Sequence, residues 1–328
     1  MFYLKGFASL VLTLYEYFID FILLCRFSKA SPFQFYSSSR INYDLIILAH
    51  TVEKGLSVKK VRYGFGKTKI KQIFKLIDLC KSININYLPS FSMVQDSFLQ
   101  YLELHDHGNY DLGHFGLAIR EYIQALSSGN SIKLGGGAVE ACSRNYHNDF
   151  DSQVKNFLVD RHSSRIYSSE IVAVDVMQEV FRLLVNSPSQ CNRQSSFVHV
   201  FHDYHQIQSL LLLQGGSATF KEGVRNLAII TNDLSSWSGH KARHQLYVDG
   251  SLFSMYFMLA LNACGLKCCS LNLAVTNNLE NKIKRQAEIS LNQRLIMMVS
   301  FGYPSIEHEK EGIPLSCKHL VANRCIIH

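Results

Sequence analysis

Apolar residues recur at helical spacing through the first half of the chain and contract into short, β-rich runs in the second. Arg40 to Leu56 sets Ile41, Leu45, Leu48, Ala49 and Val52 along one face, and Gly55 is placed to end that helix. Thr68 to Cys80 repeats the pattern with Ile70, Ile73, Phe74 and Ile77, and Ser92–Leu104 and Leu112–Leu126 continue it. Residues 1–27 read as one further helix, separated from the rest by the Pro- and Ser-containing stretch 28–39. The glycines 135–137 and the polar stretch 143–153 mark a joint, which divides the chain into a helical extension, 1–150, and a second domain, 151–328.

Beyond that joint, the runs 197–201 (FVHVF), 227–231 (LAIIT) and 295–301 (LIMMVSF) predict strands. Helical stretches at 172–185 and 247–263 lie before and between them, and Cys268 and Cys269 fall in a strand after the second. Strands alternating with helices imply a sheet covered by helices, so the expected class is α+β or α/β with a helical N-terminal region.

Composition narrows the picture. With 47% hydrophobic and 18% charged residues among 328, the chain has ample material for a core. The net charge of +7 is scattered, which fits an anionic small ligand and is too diffuse to argue for nucleic acid. Nine cysteines, an odd number without CxxC pairs, read as reduced thiols of a cytoplasmic protein.

The run from Phe7 to Cys25 is strongly apolar but contains Glu16 and Asp20. Each acid would cost about 2.5–3.5 kcal/mol in the middle of a span. The expectation is therefore a helix packed on the protein or lying on a membrane surface, ahead of a transmembrane span. A signal peptide fits poorly, because a basic leading segment is nearly absent and no small-residue cleavage site stands out.

Four stretches of the second half carry candidate chemistry. Arg161, His162, Ser163, Ser164 and Arg165 put two guanidinium groups, an imidazole and hydroxyls within five residues, a compact anion site. Pro188, Ser189, Gln190, Cys191, Asn192, Arg193 and Gln194 follow a helix and precede a strand, and supply uncharged donors and acceptors. Asp249-Gly250 opens a long apolar helix that runs to Gly265-Leu266 and leads to Leu271-Asn272. Phe301-Gly302-Tyr303-Pro304 ends the last strand. Taken singly, a solvated basic turn, a polar loop, a core helix and a tight turn explain them as well.

In this order and spacing, the stretches resemble the FMN-dependent nitroreductase family. The family's opening R-(R/H)-S-x-(R/K) falls on Arg161, His162, Ser163 and Arg165, and its P-S-x-x-N-x-Q on Pro188, Ser189, Asn192 and Gln194. The segment 233–257 and its continuation to Asn272 look like a branch associated with bacterial polysaccharide biosynthesis. That branch also has an H-x-x-E-K-G-L-S element, matched by His50, Glu53, Lys54, Gly55, Leu56 and Ser57. Its R-x-x-F-G-x-x-K stretch is matched by Arg62, Phe65, Gly66 and Lys69.

The resemblance implies a nitroreductase-like central sheet flanked by helices. It implies FMN as cofactor, NAD(P)H as electron donor, and a homodimer with FMN at the interface. Arg161, Ser163 and Arg165, with His162 beside them, would hold the FMN phosphate and ribityl end. Pro188, Ser189, Gln190 and Asn192 would line the loop that reaches the partner subunit's flavin. Leu271 and Asn272 would present backbone groups near the flavin N5 edge, and Lys318, with Ser316, would stand at the phosphate; Lys221 aligns more loosely. No protein general acid is required, since the flavin carries the chemistry. Three positions depart from the family pattern: Ser195 replaces a Pro, Lys318 an Arg, and Lys267 a small residue.

Implied alongside are a small-molecule substrate and a cytoplasmic location, peripheral to the inner membrane if the first helix touches lipid. A flavin-binding subunit without turnover, supporting a glycan-assembly partner, is the second reading. A nucleotide-dependent transferase using the GFGKT run ranks low, because Val61 stands where a P-loop needs Gly. His199, His202 and His205, and His105 and His107, read as core and surface histidines ahead of metal ligands. Asp233, Trp237, His240, Arg243 and Asp249 are substrate-side candidates, with helix capping and packing equally able to explain them.

Overall fold

The Ser37 side chain accepts the Arg40 amide and starts α2 (Ser38–Leu56), two residues ahead of the helix read from the sequence. The computed structural model describes residues 2–28, 37–57, 62–126, 135–138, 148–159, 161–237, 239 and 242–305. By contacts the chain divides into two units. The first comprises Met1–Arg144 together with Pro188–Ser195 and Asp233–Leu246, and the second holds the remainder.

In the first unit, α1 (Phe2–Phe27) precedes α2, α3 (Lys67–Ser82), α4 (Ser90–His107) and α5 (His114–Leu126). The predicted periodic positions form its core. Ile41, Leu45, Ala49 and Val52 of α2 meet Ile70, Ile73 and Ile77 of α3, and Val94, Phe98 and Tyr101 of α4. Gly66, at φ 69°, turns the chain into α3, a conformation that favours glycine. A Cβ at Gly55 would stand 1.9 Å from the Phe65 ring, so the EKG and FG elements identified in the sequence pack on each other. The GFGKT run is thus a turn between helices. His105 is fully buried there; its Nε2 accepts the Gly64 amide at 2.8 Å, and its Nδ1 donates to the Tyr101 carbonyl at 2.6 Å.

The second unit is built on a four-stranded sheet in the order β1-β2-β4-β3. β1 (Ser196–Phe201) runs antiparallel to β2 (Asn226–Asp233), and β3 (Lys267–Leu271) antiparallel to β4 (Gln293–Gly302). β2 is buried along its whole length, and its alternation sorts the two faces. Leu227 and Ile229 join Ile207, Leu210 and Ile283 of α8 (Tyr204–Gln214) and α10 (Asn277–Gln286). Ala228 and Ile230 join Met177, Val180, Phe257 and Leu261 of α7 (Val174–Leu183) and α9 (Gln245–Ala263). The architecture is α+β, mostly helical, with a small central sheet between helical layers. The predicted strands and the 172–185 and 247–263 helices are present. α6 (Asn148–Val159), α8 and α10 are additional to the helices read from the sequence.

Candidate functional site

The basic segment 161–165 is held along the β3–β4 edge of the sheet by its own backbone. Ser163 forms a parallel bridge with Cys268, and the Ser164 amide donates to the Cys268 carbonyl at 2.9 Å. Further along, Tyr167 bridges Pro304, and the Ser168 amide donates to the Tyr303 carbonyl at 3.0 Å. The Tyr167 hydroxyl donates to the Ser164 carbonyl and lies 2.9 Å from Ser300 Oγ. Burial holds the Tyr167 pKa well above its usual value, against a smaller opposing effect of the Ser300 hydrogen bond. The neighbouring glycine of the GYP turn fits closely, since a Cβ at Gly302 would stand 3.0 Å from the Tyr167 Cβ and press on it.

With Ser164 and Tyr167 fixed inward, the basic side chains lie at or near the surface. Ser164 and Tyr167 are buried, Arg161, His162 and Ser163 half-buried, and Arg165 exposed. Burial pushes the Cys268 thiol up to about 12, and the Arg161 charge lies near enough to oppose that rise. A cavity of about 310 Å³ opens beside the segment, lined by Arg165, Ile166, Tyr167, Thr219 and Phe220, with Glu222 also on its wall. Lys221, in the same turn as Thr219, is half-buried, and its carbonyl accepts the Gln208 amide at 2.7 Å.

Leu271 is the last residue of β3, pairs with Met298 and is buried. Asn272 follows it exposed; its carbonyl accepts from Gln214 Nε2 at 2.9 Å and its side chain caps the Ala274 amide at 3.2 Å. The structure therefore brings Arg161, His162, Ser163 and Arg165 onto the sheet edge that Leu271 and Asn272 extend. Lys318 and Ser316 lie outside the described residues.

The loop of Pro188, Ser189, Gln190 and Asn192 belongs to the first unit, where it packs on α2. Cys191, Asn192 and Gln194 all adopt φ between 52° and 53°, a left-handed conformation uncommon outside glycine. Local bonds hold it: Ser189 Oγ accepts the Gln194 amide at 3.0 Å, Asn192 Oδ1 accepts Gln194 Nε2 at 2.8 Å, and Gln190 Oε1 accepts Arg193 Nη1 at 2.6 Å. Arg193 is buried, a role its place in a polar loop did not announce.

Of the substrate-side candidates, Asp233 is buried, caps the Ser235 amide at 2.8 Å and accepts from the Tyr43 hydroxyl at 3.2 Å. Burial, reinforced by Asp233, raises the Tyr43 pKa well above its ordinary value. Trp237 and Asp249 are buried, Arg243 is exposed, and His240 lies outside the described residues.

The H-x-x-E element acquires a structural part that its sequence did not disclose. The buried Glu53 carboxylate is met by His50 Nδ1 at 3.2 Å, the Ser97 hydroxyl at 3.4 Å and the Gly137 amide at 3.1 Å. The adjoining amides of Gly136 and Ala138 donate to Asp96 and Gln100. A Cβ at Gly136 would stand 2.3 Å from the Met93 carbonyl oxygen, so the glycine run fits against α4 because it lacks side chains.

Histidines of the second unit pair locally. His199 Nε2 lies 2.7 Å from Gln293 Oε1, and His202 Nδ1 lies 3.0 Å from Asn226 Oδ1. Among the described residues no group of three or more His, Cys, Asp or Glu could hold a metal ion.

No family model and no curated protein matches the chain. Solved structures do resemble it. An FMN-dependent nitroreductase from Clostridium difficile is 17% identical with a TM-score of 0.41, covering 48% of this chain and 96% of its own. A nitroreductase with bound FMN from Bacteroides fragilis is 15% identical, TM-score 0.43, over 54% of this chain and 98% of its own. An FMN-dependent nitroreductase from Mycobacterium smegmatis, in complex with NADPH, is 15% identical, TM-score 0.44, over 55% of this chain and 100% of its own.

Proposed function

We propose that the chain binds FMN and acts as an NAD(P)H-driven oxidoreductase, with a homodimer as the working form. The observation that carries this reading is the basic segment held on the β3–β4 edge, which leaves Arg165 lining a cavity of about 310 Å³. Two guanidinium groups and the Ser163 hydroxyl suit a phosphate dianion, through forked, charge-assisted hydrogen bonds. Tyr167 and Phe220 on the cavity wall suit a flat ring beside it. When bound, FMN would accept hydride from NAD(P)H and pass electrons to a second substrate. The chain's own part is to bind and orient it, with Arg161, His162, Ser163 and Arg165 at the phosphate and ribityl end, and Leu271 and Asn272 beside the ring. Lys318 would add a point charge at the phosphate.

The dimer is supported by apolar side chains that the second unit leaves exposed. Val248, Leu252 and Met255 form a stripe on α9, and Val174 and Phe181 are exposed on α7. The resemblance to nitroreductases implies that Ser189, Gln190 and Asn192 would meet the flavin of the partner in such a dimer. The link to polysaccharide biosynthesis rests on the HxxEKGLS element and the 233–257 segment, and it goes with a cytoplasmic location.

One observation favours a second reading, a flavin-holding subunit without turnover: Ser189, Gln190 and Asn192 each bond within their own loop. The absorbance spectrum of the purified protein, with chromatography of released cofactor, tests the first step. Stoichiometric FMN is expected, and its absence refutes the reading. Bleaching of the flavin by NAD(P)H distinguishes enzyme from holder. Replacing Arg161 and Arg165 together by Ala is expected to remove the yellow colour.

A further inference from the structure

The first helix has two faces that its hydropathy alone does not separate. Residues 8–27 have a mean hydropathy of 1.7, and none of them is buried. At 3.6 residues per turn, Ser9, Thr13, Glu16 and Asp20 fall on one stripe, spaced 4, 3 and 4. Glu16 and Asp20 are half-buried, as are Ile19, Leu23, Leu24 and Phe27, so this side of the helix is turned to the protein; neither acid is without a partner. Leu10, Val11, Leu14, Phe18, Phe21 and Ile22 occupy the opposite arc, and all are exposed; Leu12, beside Glu16, is exposed as well, and Cys25, at the end of the arc, is half-buried. Tyr15 and Tyr17, also exposed, stand on the two shoulders of that arc.

We propose that α1 is an in-plane membrane anchor, with the arc centred on Leu14, Phe18 and Phe21 sunk into one leaflet of a lipid bilayer. Three features select lipid as the occupant. The arc spans Leu10 to Ile22, roughly 20 Å of helix, without a charge on it, a contiguous apolar surface of the kind that marks an interaction site. Its shoulders are tyrosines, whose rings and hydroxyls suit the boundary between acyl chains and headgroups. Its polar stripe faces the protein, the arrangement of a helix that lies on a membrane; a span would carry both acids through hydrocarbon. The exposed arc bears no Lys or Arg, so apolar burial and not headgroup charge drives the contact. This inference does not depend on flavin binding.

Flotation of the purified full chain on a density gradient with neutral phosphatidylcholine vesicles tests it. The wild type is expected at the top of the gradient. The double variant Leu14→Glu/Phe18→Glu is expected to float at least tenfold less and to keep the wild-type thermal melt. If that variant melts differently, Leu14→Ser/Phe21→Ser replaces it, with the same expected loss. Wild type remaining at the bottom, or double variants that float like wild type, would overturn the proposal. An N-terminal epitope on vesicle-bound protein should be cleaved by protease added outside; protection would mean a span. A discrete dimer that the variants dissociate, without flotation of wild type, would mean that a second copy covers the arc.

Discussion

The amide of Ser164 donates to the carbonyl of Cys268 over 2.9 Å, and this bond decides where two arginines stand. It fixes the backbone between Arg161 and Arg165 to a strand of the sheet instead of leaving it as a free loop. The backbone that carries both guanidinium groups is thus fixed before any ligand arrives, which lowers part of the ordering cost of binding. Four expectations, three at this segment and its anchoring strands and one at an internal ion pair, can be measured.

Arg165 is expected to contribute a charge-assisted contact to FMN. Arg165→Ala should weaken FMN binding by about 10- to 100-fold, corresponding to about 1.5–3 kcal/mol for a hydrogen bond to a charged group. Arg165→Lys should lose less, because it keeps a point charge but not the fork. Titration of the apo-protein followed by flavin fluorescence reads both, and wild-type affinity in the Ala variant would refute the assignment.

Tyr167 ties the basic segment to β4 through Ser164 and Ser300. Tyr167→Phe keeps the ring but leaves a buried carbonyl and a buried hydroxyl short of a partner. A loss of about 1–3 kcal/mol is expected in urea unfolding.

Beneath the sheet, Glu280 joins two cations. Its carboxylate lies 2.7 Å from Lys284 Nζ and 3.3 Å from Arg294 Nε, and it accepts the Leu295 amide at 3.2 Å. Burial lowers the Lys284 pKa, and Glu280 works against that shift. Glu280→Ala removes the shared anion and strands a buried ammonium, so a loss of about 3–5 kcal/mol is expected by the same measurement. Lys284→Met, which removes the charge as well, should cost less than Glu280→Ala.

Cys268 supplies a pH dependence. Its folded-state pKa, about 12, is raised above the ordinary value of 9.0. The stability it contributes is full below pH 9.0 and is lost as the pH climbs toward 12, because the unfolded thiol ionises first. At pH 8 the buried Cys268 should resist alkylation until the protein is unfolded, while the half-buried Cys191 reacts first. Mass spectrometry of the labelled peptides checks the order.

Legibility in the sequence followed one-sided burial. α2 through α5 were readable because each buries one face against its neighbours, and the strands because β-formers cluster in them. α10 was not: its run NNLENKIKRQ is polar, and it enters the core on Ile283 and an internal ion pair. No local pattern announces that Glu280 and Lys284 will neutralise each other out of water. α8 was hidden for a related reason, since its leucines spread around the helix instead of forming one stripe. At the candidate site, the basic segment was legible as charge, but its attachment to β3 depends on Cys268, more than a hundred positions away in the chain.

The amino-acid sequence alone determined α1 to α5, α7, α9 and the strands, where the basic and amide-rich segments fall, and that the first helix is apolar. These properties are set by neighbours a few positions apart, through backbone period and side-chain type. Tertiary structure alone decided that Pro188–Ser195 folds with the N-terminal helices, that Glu53 grips the Gly137 amide, and that Glu16 and Asp20 face the protein. Such choices depend on which distant surfaces bury each other, and a polar group shows its role only when the partner that replaces its water is in place.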